Sequence, residues 1–286
     1  MVVHLVKLAC ELPDEADRSL SLWTCAELAR SLRAMSIVDE ISPQSVQRIL
    51  MAHQLKPWRV HHWLSPKVPR DLTFRALVEN IRDLYTRDLD PHEIVLSLDE
   101  KTSMQPRPRS TPTMPPLPAP NPAPVRVEHE YKRCGALNLF AAFDTRTGVV
   151  TGICRQRKRQ VEFIELLEAI DRRTPAPITL IHVVSDNISI HHGKKVRAWL
   201  ARHPRFKFHF TPVHCSWMNQ IEQWFSILQR KRMSASNFAS LTALKGRILA
   251  FIEEWNQMAH PFGWTRSSFD KILSKTTAAT PVRQAA

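Results

Sequence analysis

The most informative segment of the chain is Thr211-Pro-Val-His-Cys-Ser-Trp-Met-Asn-Gln-Ile-Glu-Gln-Trp-Phe-Ser-Ile-Leu-Gln-Arg-Lys231. Its pattern predicts the end of a strand, a tight connection and then an amphipathic helix. Apolar residues spaced by three and four positions share one face of this helix and predict its buried side. They are Met218, Ile221, Phe225 and Leu228.

Glu222 lies at the flank of that face. It follows Asn219 by about one helical turn, so both side chains can point back toward the preceding strand. A carboxylate on a rigid helix at the edge of a core is well placed to bind a metal ion. The alternative is an ordinary solvated glutamate, because most helix glutamates are exposed.

Two further carboxylates follow short apolar runs. Glu93-Ile-Val-Leu-Ser-Leu-Asp99 and Ile178-Thr-Leu-Ile-His-Val-Val-Ser-Asp186 are typical of buried strands of an α/β sheet, each with an aspartate at its tip. Sites on such sheets are built at strand tips. Aspartate is also a common turn and N-cap residue, so each acid alone has a structural explanation. The combination of Asp99, Asp186 and Glu222 favours a site.

Composition restricts the classes of function. The chain has 286 residues, 43% of them hydrophobic, and a net charge of +13, which favours a polyanionic partner. It contains no apolar run of 18 residues, so no membrane span is predicted. Five scattered cysteines without a Cys-x-x-Cys pair favour reduced thiols in a cytosol, hence a cytoplasmic, nucleoid-associated protein. Nucleic acid is therefore the expected partner.

The segment 22–63 has the pattern of a small helix-turn-helix unit. Thr24-Cys-Ala-Glu27 predicts a capping box, and Ser42-Pro43 predicts a second helix start. Polar residues on the second helix face outward, as in a recognition helix, and basic residues follow. The predicted DNA contacts here are Gln44, Ser45, Gln47, Arg48, Lys56 and Arg59. A structural helical hairpin with a solvated basic face is the alternative.

The rest of the chain alternates between strand and helix patterns. Strands are predicted at 93–99, 136–143, 149–154, 178–186 and 206–210, and helices at 161–172, 194–203 and 240–256, besides the one that carries Glu222. This order resembles a ribonuclease H-like fold, an α/β class with a mixed sheet flanked by helices. Nine prolines in residues 106–124 predict an exposed loop unable to pair in a sheet, either a disordered insertion or a functional flap.

The predicted domain organisation follows from these patterns. It consists of a helix-turn-helix domain at 1–68, a linking helix at 69–90, a catalytic domain at 91–275 and a loose tail at 276–286.

Linked motifs make the resemblance more specific. Leu98-Asp-Glu-Lys-Thr102, His129-Glu-Tyr131, Asp186-Asn187, His209-Phe-Thr-Pro-Val-His214 and Ser216 to Phe225 resemble a bacterial insertion-sequence transposase of the DDE type, related to mariner elements. Asp186 and Glu222 are separated by 35 residues, close to the usual gap of that superfamily. Members usually carry a further helix-turn-helix ahead of this one, so the helical domain is expected to be amino-terminally shortened.

The resemblance implies a set of partners and roles. Asp99, Asp186 and Glu222 would be catalytic ligands for two Mg²⁺ ions, or Mn²⁺, which prefer oxygen donors. Double-stranded DNA would be the partner, bound by a homodimer, and would be cut by water and then joined through a freed 3′-hydroxyl. Basic residues near the acids would neutralise phosphates. They are Arg155, Arg157, Lys158, Arg159, Lys194 and Lys195.

Several residues near the acids receive secondary assignments. Asn187, His214 and Asn219 are predicted to support the site. His191 and His192 could orient a metal ligand or a phosphate, and a packing or surface role is the alternative for these two histidines and for His214. Glu100 should point to the opposite face of its strand and is not counted as a ligand. Two other functions stay open: a catalytically inactive, DNA-binding transposase remnant, and a ribonuclease H-like nuclease without joining activity.

Overall fold

The computed structural model describes residues 1–16, 18–60, 71–213, 215–234 and 236–274. The chain divides into two compact units, Met1–Ser65 and Pro66–Ala286. The sequence predictions for His214 and for the tail 276–286 lie outside the described residues.

The first unit is helical. Its helices are α1 (Val2–Cys10), α2 (Cys25–Ala34) and α3 (Pro43–Ala52), with a short 3₁₀ turn at Pro13–Ala16. Buried side chains from all three helices form one core, namely Leu5, Leu8, Leu28, Leu32, Val46 and Leu50, together with Trp23 from the loop before α2. The sequence analysis did not predict α1.

The two predicted helix starts are present. Thr24 Oγ1 accepts a hydrogen bond from the Glu27 amide at 3.1 Å, and Ser42 Oγ accepts one from the Ser45 amide at 3.1 Å. These contacts satisfy amides that have no partner within the helix. The capping box at Thr24 is only half formed, because the Glu27 carboxylate contacts Arg18 and Arg30 instead. Nearby guanidinium groups therefore outcompete the backbone amide for this carboxylate.

The second unit contains a five-stranded mixed sheet. Its strands are β1 (Glu93–Met104), β2 (Leu137–Asp144), β3 (Val150–Arg155), β4 (Leu180–Ser185) and β5 (Phe206–Phe210). Their order in the sheet is β3-β2-β1-β4-β5. The pairs β1–β2 and β2–β3 are antiparallel, whereas β1–β4 and β4–β5 are parallel. The predicted element order and α/β class are confirmed.

Helices cover both faces of this sheet. They are α4 (Leu72–Thr86), α5 (Gln160–Arg173), α6 (Ser189–His192), α7 (Lys194–Leu200), α8 (Gln220–Leu228), α9 (Leu241–Gln257) and α10 (Arg266–Leu273). The cores assign α4, α8, α9 and α10 to one face, here called the front face. Helices α5 and α7 pack on the other, the back face. The sequence analysis did not predict α10.

The helix-bearing segment 211–231 folds largely as its spacing predicts. Met218, Ile221, Phe225 and Leu228 are all buried. Met218 belongs to a 3₁₀ turn at Ser216–Met218 that precedes α8, and it packs against α4 and α10. The other three join the core between β2 and α9.

The turn between β2 and β3 requires glycine. Gly148 has a φ of +77°, and a Cβ there would lie 2.1 Å from the main-chain oxygen of His260. Asp144 stabilises the same turn, because its Oδ1 accepts from the amide of Arg146 at 2.8 Å. The predicted hairpin is confirmed.

One prediction about strands was wrong. Strand β1 does not end at Asp99 but continues to Met104 while paired with β2. The proline-rich segment contributes no strand to the sheet, but it forms two isolated antiparallel bridges, Met114 with Arg126 and Leu117 with Ala123. None of these four is proline, so each keeps the amide that the bridge needs. Most of the segment is solvent-exposed, as predicted. Among the described residues, no helix has the length and apolarity needed to cross a bilayer.

Candidate active site

The three predicted acids lie at one end of the sheet. The pairing of β1 with β4 ends at Ser97 opposite Val184, and Asp99 lies two residues further along β1. Asp186 directly follows the last residue of β4, and Glu222 is in the first turn of α8. Their charges act on one another, because Asp186 and Glu222 both raise the pKa of Asp99.

Asp99 is the most deeply buried of the three. Only 6% of it is exposed. Its Oδ1 accepts from the Glu100 amide at 2.7 Å, and its Oδ2 accepts from Asn219 Nδ2 at 3.2 Å. Burial, followed by repulsion from Asp186, raises the pKa of Asp99 to about 7. Near neutral pH a cation bound to this carboxylate would therefore displace its proton, which would leave to water.

Asn219 fixes the start of α8 against β1. Its Nδ2 donates to the main-chain oxygen of Leu98 at 2.8 Å, and its Oδ1 accepts from Ser97 Oγ. Ser97 Oγ in turn accepts from the amide of Ile221 at 2.9 Å, which satisfies one of the unpaired amides of the first helical turn. The predicted supporting role of Asn219 thus has a geometric basis, because it links α8 to the strand that carries Asp99.

Glu222 is half-buried at the rim of the site. Burial raises its pKa, nearby Lys101 opposes that change, and Asp186 adds to it. Burial lowers the pKa of Lys101, which lies at the same rim. The sequence analysis missed Lys101, although its place two residues after Asp99 puts it on the same face of β1.

Asp186 has the opposite electrostatic environment. Burial acts to raise its pKa, but the close contact with His191 and its positive charge outweigh that effect and hold the pKa below its usual value. His191 Nδ1 lies 2.9 Å from Asp186 Oδ1. The same nitrogen is hydrogen-bonded to Ser185 Oγ at 2.7 Å and to the main-chain oxygen of Asp186 at 3.0 Å.

Glu100 points to the back face, as expected. It is fully buried there and contacts two cations: His191 Nε2 lies 2.8 Å from its Oε1, and Lys158 Nζ lies 3.1 Å from its Oε2. Burial lowers the pKa of His191, but the bonds to Asp186 and Glu100 raise it to about 10. A surface role for His191 is therefore excluded, because its side chain is completely buried between two carboxylates.

The other predicted residues are more dispersed. Asn187 is exposed after β4, and His192 is half-buried with its ring 6.1 Å from that of Phe210. Three of the basic residues at the end of β3 and just after it are paired with acids: Arg155 with Glu165, Lys158 with Glu100 and Arg159 with Glu162. The exposed basic residues of the second unit include Arg157, Lys194 and Lys195.

The predicted contacts of the first unit are accessible. Gln44, Gln47 and Arg48 are exposed on α3, whereas Ser45 is half-buried and shares hydrogen bonds with Ser42 and Arg48. Lys56 and Arg59 are exposed after that helix.

The three acids form a set of oxygen donors. Asp99, Asp186 and Glu222 supply oxygen atoms, which Mg²⁺ and Mn²⁺ prefer. Asp186 Oδ1 is buried and accepts no hydrogen bond among residues 71–213 and 215–234. Over the same ranges, no group of three Asp, Glu, His or Cys side chains is arranged to hold an ion. The chemistry of the donors fits a divalent cation.

Known proteins share this fold. The mariner Mos1 paired end complex with Mg has a TM-score of 0.54 and 17% identity, covering 98% of this chain and 80% of that one. The Mos1 strand transfer complex has a TM-score of 0.50 and 16% identity, covering 96% and 74%. These similarities confirm the ribonuclease H-like fold predicted from the sequence.

A sequence relative and a family model identify the family. The insertion element IS630 uncharacterized 39 kDa protein of Shigella sonnei is 26% identical over 115 residues, which is 40% of this chain. The match spans about a third of that relative, 33% of its length. A model described as DDE superfamily endonuclease matches residues 95–245, more than half of the chain and the whole region from Asp99 to Glu222. The chain therefore belongs to the DDE superfamily endonuclease family.

Proposed function

We propose that this protein is a DNA transposase that cuts DNA strands at the ends of a mobile element and joins the freed 3′-hydroxyl to target DNA. The observation that carries the proposal is the electrostatic coupling of Asp99, Asp186 and Glu222 at one end of the sheet. Family membership supports the same reading, because the matched region contains all three acids.

Asp99, Asp186 and Glu222 would hold divalent cations, Mg²⁺ or Mn²⁺, and we propose two ions. Bound there, the ions would activate the attacking oxygen and stabilise the leaving oxygen of an in-line displacement at phosphorus. The raised pKa of Asp99, which lies near two other carboxylates, supports a missing positive charge at this position. Asp186 Oδ1 accepts no hydrogen bond among the described residues, which supports a free lone pair for a cation.

The surrounding residues position the acids. Asn219 holds Asp99 Oδ2 and fixes the start of α8, which sets the distance between Glu222 and β1. Lys101 at the rim offers a positive charge to an incoming phosphate. Because burial lowers its pKa, this lysine gains from the approach of an anion.

Double-stranded DNA is the proposed partner. The exposed face of α3 would read base edges through Gln44, Gln47 and Arg48, while Arg157, Lys194 and Lys195 would contact phosphates. We also propose that two copies act together on paired element ends; the similar mariner Mos1 structure is a paired end complex.

The experiment uses a labelled duplex made from the DNA that flanks the reading frame, chosen by a search of that DNA for inverted repeats, with a supercoiled plasmid as target. With Mg²⁺, the protein should release a 3′-hydroxyl end and join it to the plasmid. Asp99→Asn, Asp186→Asn and Glu222→Gln should each reduce both steps by at least about 10³-fold while retaining duplex binding, because the three act as one unit.

Each other outcome selects a different function. Cleavage without plasmid joining would indicate a nuclease. Duplex binding without cleavage would indicate an inactive DNA-binding remnant. Full activity of Glu222→Gln would refute the proposed site.

A further inference from the structure

We propose that Glu100 and His191 are positioning residues that hold Asp186 from the back face of the sheet. The inference rests on the proposed function, because it takes Asp186 to be a metal ligand. It concerns a contiguous path of side chains, here called the back-face relay, that consists of Asp186, His191, Glu100 and Lys158, of which His191 and Glu100 are fully buried.

The ring of His191 has little freedom to move. Both of its nitrogens face oxygen atoms, with Nε2 2.8 Å from Glu100 Oε1 and Nδ1 2.7 Å from Ser185 Oγ. One face of the ring lies against Phe163, with 4.5 Å between ring centres. The side chain is completely buried. A fixed ring sets the position of the aspartate that it contacts.

Contacts hold Asp186 in place but leave its carboxylate able to bind another partner. The main-chain oxygen of Asp186 accepts a hydrogen bond from Ser185 Oγ at 3.0 Å and also contacts His191 Nδ1, which anchors the backbone after β4. The contact of Asp186 Oδ1 with Nδ1 is an ion pair at 2.9 Å, and this oxygen accepts no hydrogen bond among the described residues. The relay therefore orients the carboxylate and leaves its lone pairs for another partner.

Glu100 extends the relay from His191 to strand β1 and to Lys158. It projects from β1 on the face opposite Asp99 and has no exposed side-chain surface. Its second oxygen meets Lys158 Nζ at 3.1 Å, and the Lys158 side chain is 32% exposed. Apolar residues of the same volume would pack this core without the cost of dehydrating charges. The charged path instead joins Asp186 to the same strand that carries Asp99, so two of the proposed ligands share one rigid support.

Partners that orient ligating side chains affect metal affinity even though they do not touch the ion. We therefore expect Glu100→Gln and His191→Asn to raise the Kd for Mn²⁺ by about 10- to 100-fold. His191→Asn is informative because its shorter amide can still face Ser185 but cannot reach Glu100. Duplex affinity measured in EDTA should stay within about twofold of the parent, because neither side chain is exposed to DNA.

The test is calorimetric titration of the metal-free full chain with Mn²⁺ at 10 °C, with circular dichroism to verify folding. His192→Asn is the matched control, since His192 neighbours His191 but contacts Phe210 outside the relay, and its Mn²⁺ affinity should equal that of the parent. Asp186→Asn tests the metal site itself. If Asp186→Asn abolishes binding while folded Glu100→Gln and His191→Asn bind Mn²⁺ like the parent, the relay is refuted and the site stands.

Mn²⁺ binding by Asp186→Asn and the folding of the two relay variants also decide the outcome. If Asp186→Asn binds Mn²⁺ like the parent, the metal site of the proposed function is refuted, and the relay with it. If Glu100→Gln does not fold, His191→Asn alone carries the test. If both fail to fold at 10 °C, the two residues are structural and the positioning role is wrong.

Discussion

The front and back faces of β1 carry consecutive acids with opposite surroundings. Asp99 on the front face lies near two other carboxylates, and burial with this repulsion raises its pKa to about 7. Glu100 on the back face is equally inaccessible, yet both of its oxygens meet cationic groups, His191 and Lys158. Successive residues of a strand point to opposite faces. Asp99 therefore lacks a counter-charge, whereas the adjacent Glu100 has two cationic partners.

The difference shows how a site and its support can share one strand. A carboxylate without a counter-charge destabilises the metal-free fold and gains from a bound cation. A carboxylate with two cationic partners stabilises the fold only while those partners stay in place. The front face therefore favours binding, whereas the back face favours rigidity, and substitutions should affect stability in opposite directions.

The largest expected effect is on the free energy of unfolding, which Glu100→Gln and Asp99→Asn should change in opposite directions. At pH 8 in EDTA, Glu100→Gln should lower the free energy of unfolding by about 2–3 kcal/mol, because it leaves His191 and Lys158 near each other without their anion. Asp99→Asn should raise the free energy of unfolding by about 1 kcal/mol, since relief of repulsion exceeds the weakened 3.2 Å contact with Asn219. Urea denaturation measures both changes, and equal signs would contradict the comparison.

A smaller effect is the pH dependence of the front face. Folding raises the pKa of Asp99 from near 4 to about 7, so the folded state binds more protons than the unfolded state over this interval. The stabilising contribution of the protonated form is complete below about pH 4 and is lost as the pH rises to about 7.

Asp99→Asn should therefore gain stability over the parent mainly above pH 7 and very little at pH 4. Thermal unfolding in EDTA at several pH values measures this gain. A gain that is equal at pH 4 and pH 8 would show that Asp99 is not the group responsible. Mn²⁺ should reduce the gain at pH 8, because the parent then binds the cation.

The order of the strands and helices could be predicted from the sequence. So could the placement of the three acids at strand ends and on a helix, and the face of β1 to which Glu100 points. Strand alternation places Glu100 opposite Asp99, and helical spacing places the buried face of α8. The partner of Glu100 could not be predicted, because His191 lies 91 residues away and only the folded sheet brings them together. The same applies to Lys101, whose environment depends on Glu222 from a distant helix.

The wrong predictions also have physical causes. The run Asp99-Glu-Lys-Thr102 is polar and looks like the end of a strand, but pairing with β2 continues through it. The density of prolines in residues 106–124 conceals the few residues whose amides form the isolated bridges Met114–Arg126 and Leu117–Ala123. The short helices α1 and α10 depend on packing against neighbouring helices, which local spacing does not report.

The smallest expected effect concerns a pair of buried histidines on the front face. His182 and His209 lie between the sheet and α4, with His182 Nδ1 2.9 Å from His209 Nε2 and Asn80 Nδ2 3.0 Å from His209 Nδ1. Burial, and then the charges of His182, Lys207 and Arg87, lower the pKa of His209 to about 4. Glu93 is the nearby acid, but it is 3.8 Å from His182 on the far side of the pair.

A histidine with a lowered pKa makes the unfolded state bind more protons. Stability should therefore be complete above about pH 6.5 and fall as the pH decreases toward 4, opposite to the trend set by Asp99. His209→Gln keeps a polar group near Asn80 and should remove about 0.5–1 kcal/mol of this acid sensitivity. The measurement is the unfolding free energy at pH 7 and pH 4.5, with His203→Gln, a half-buried histidine stacked on Trp199, as the matched control. A parental acid slope in His209→Gln would mean that the front-face acids alone set the pH dependence.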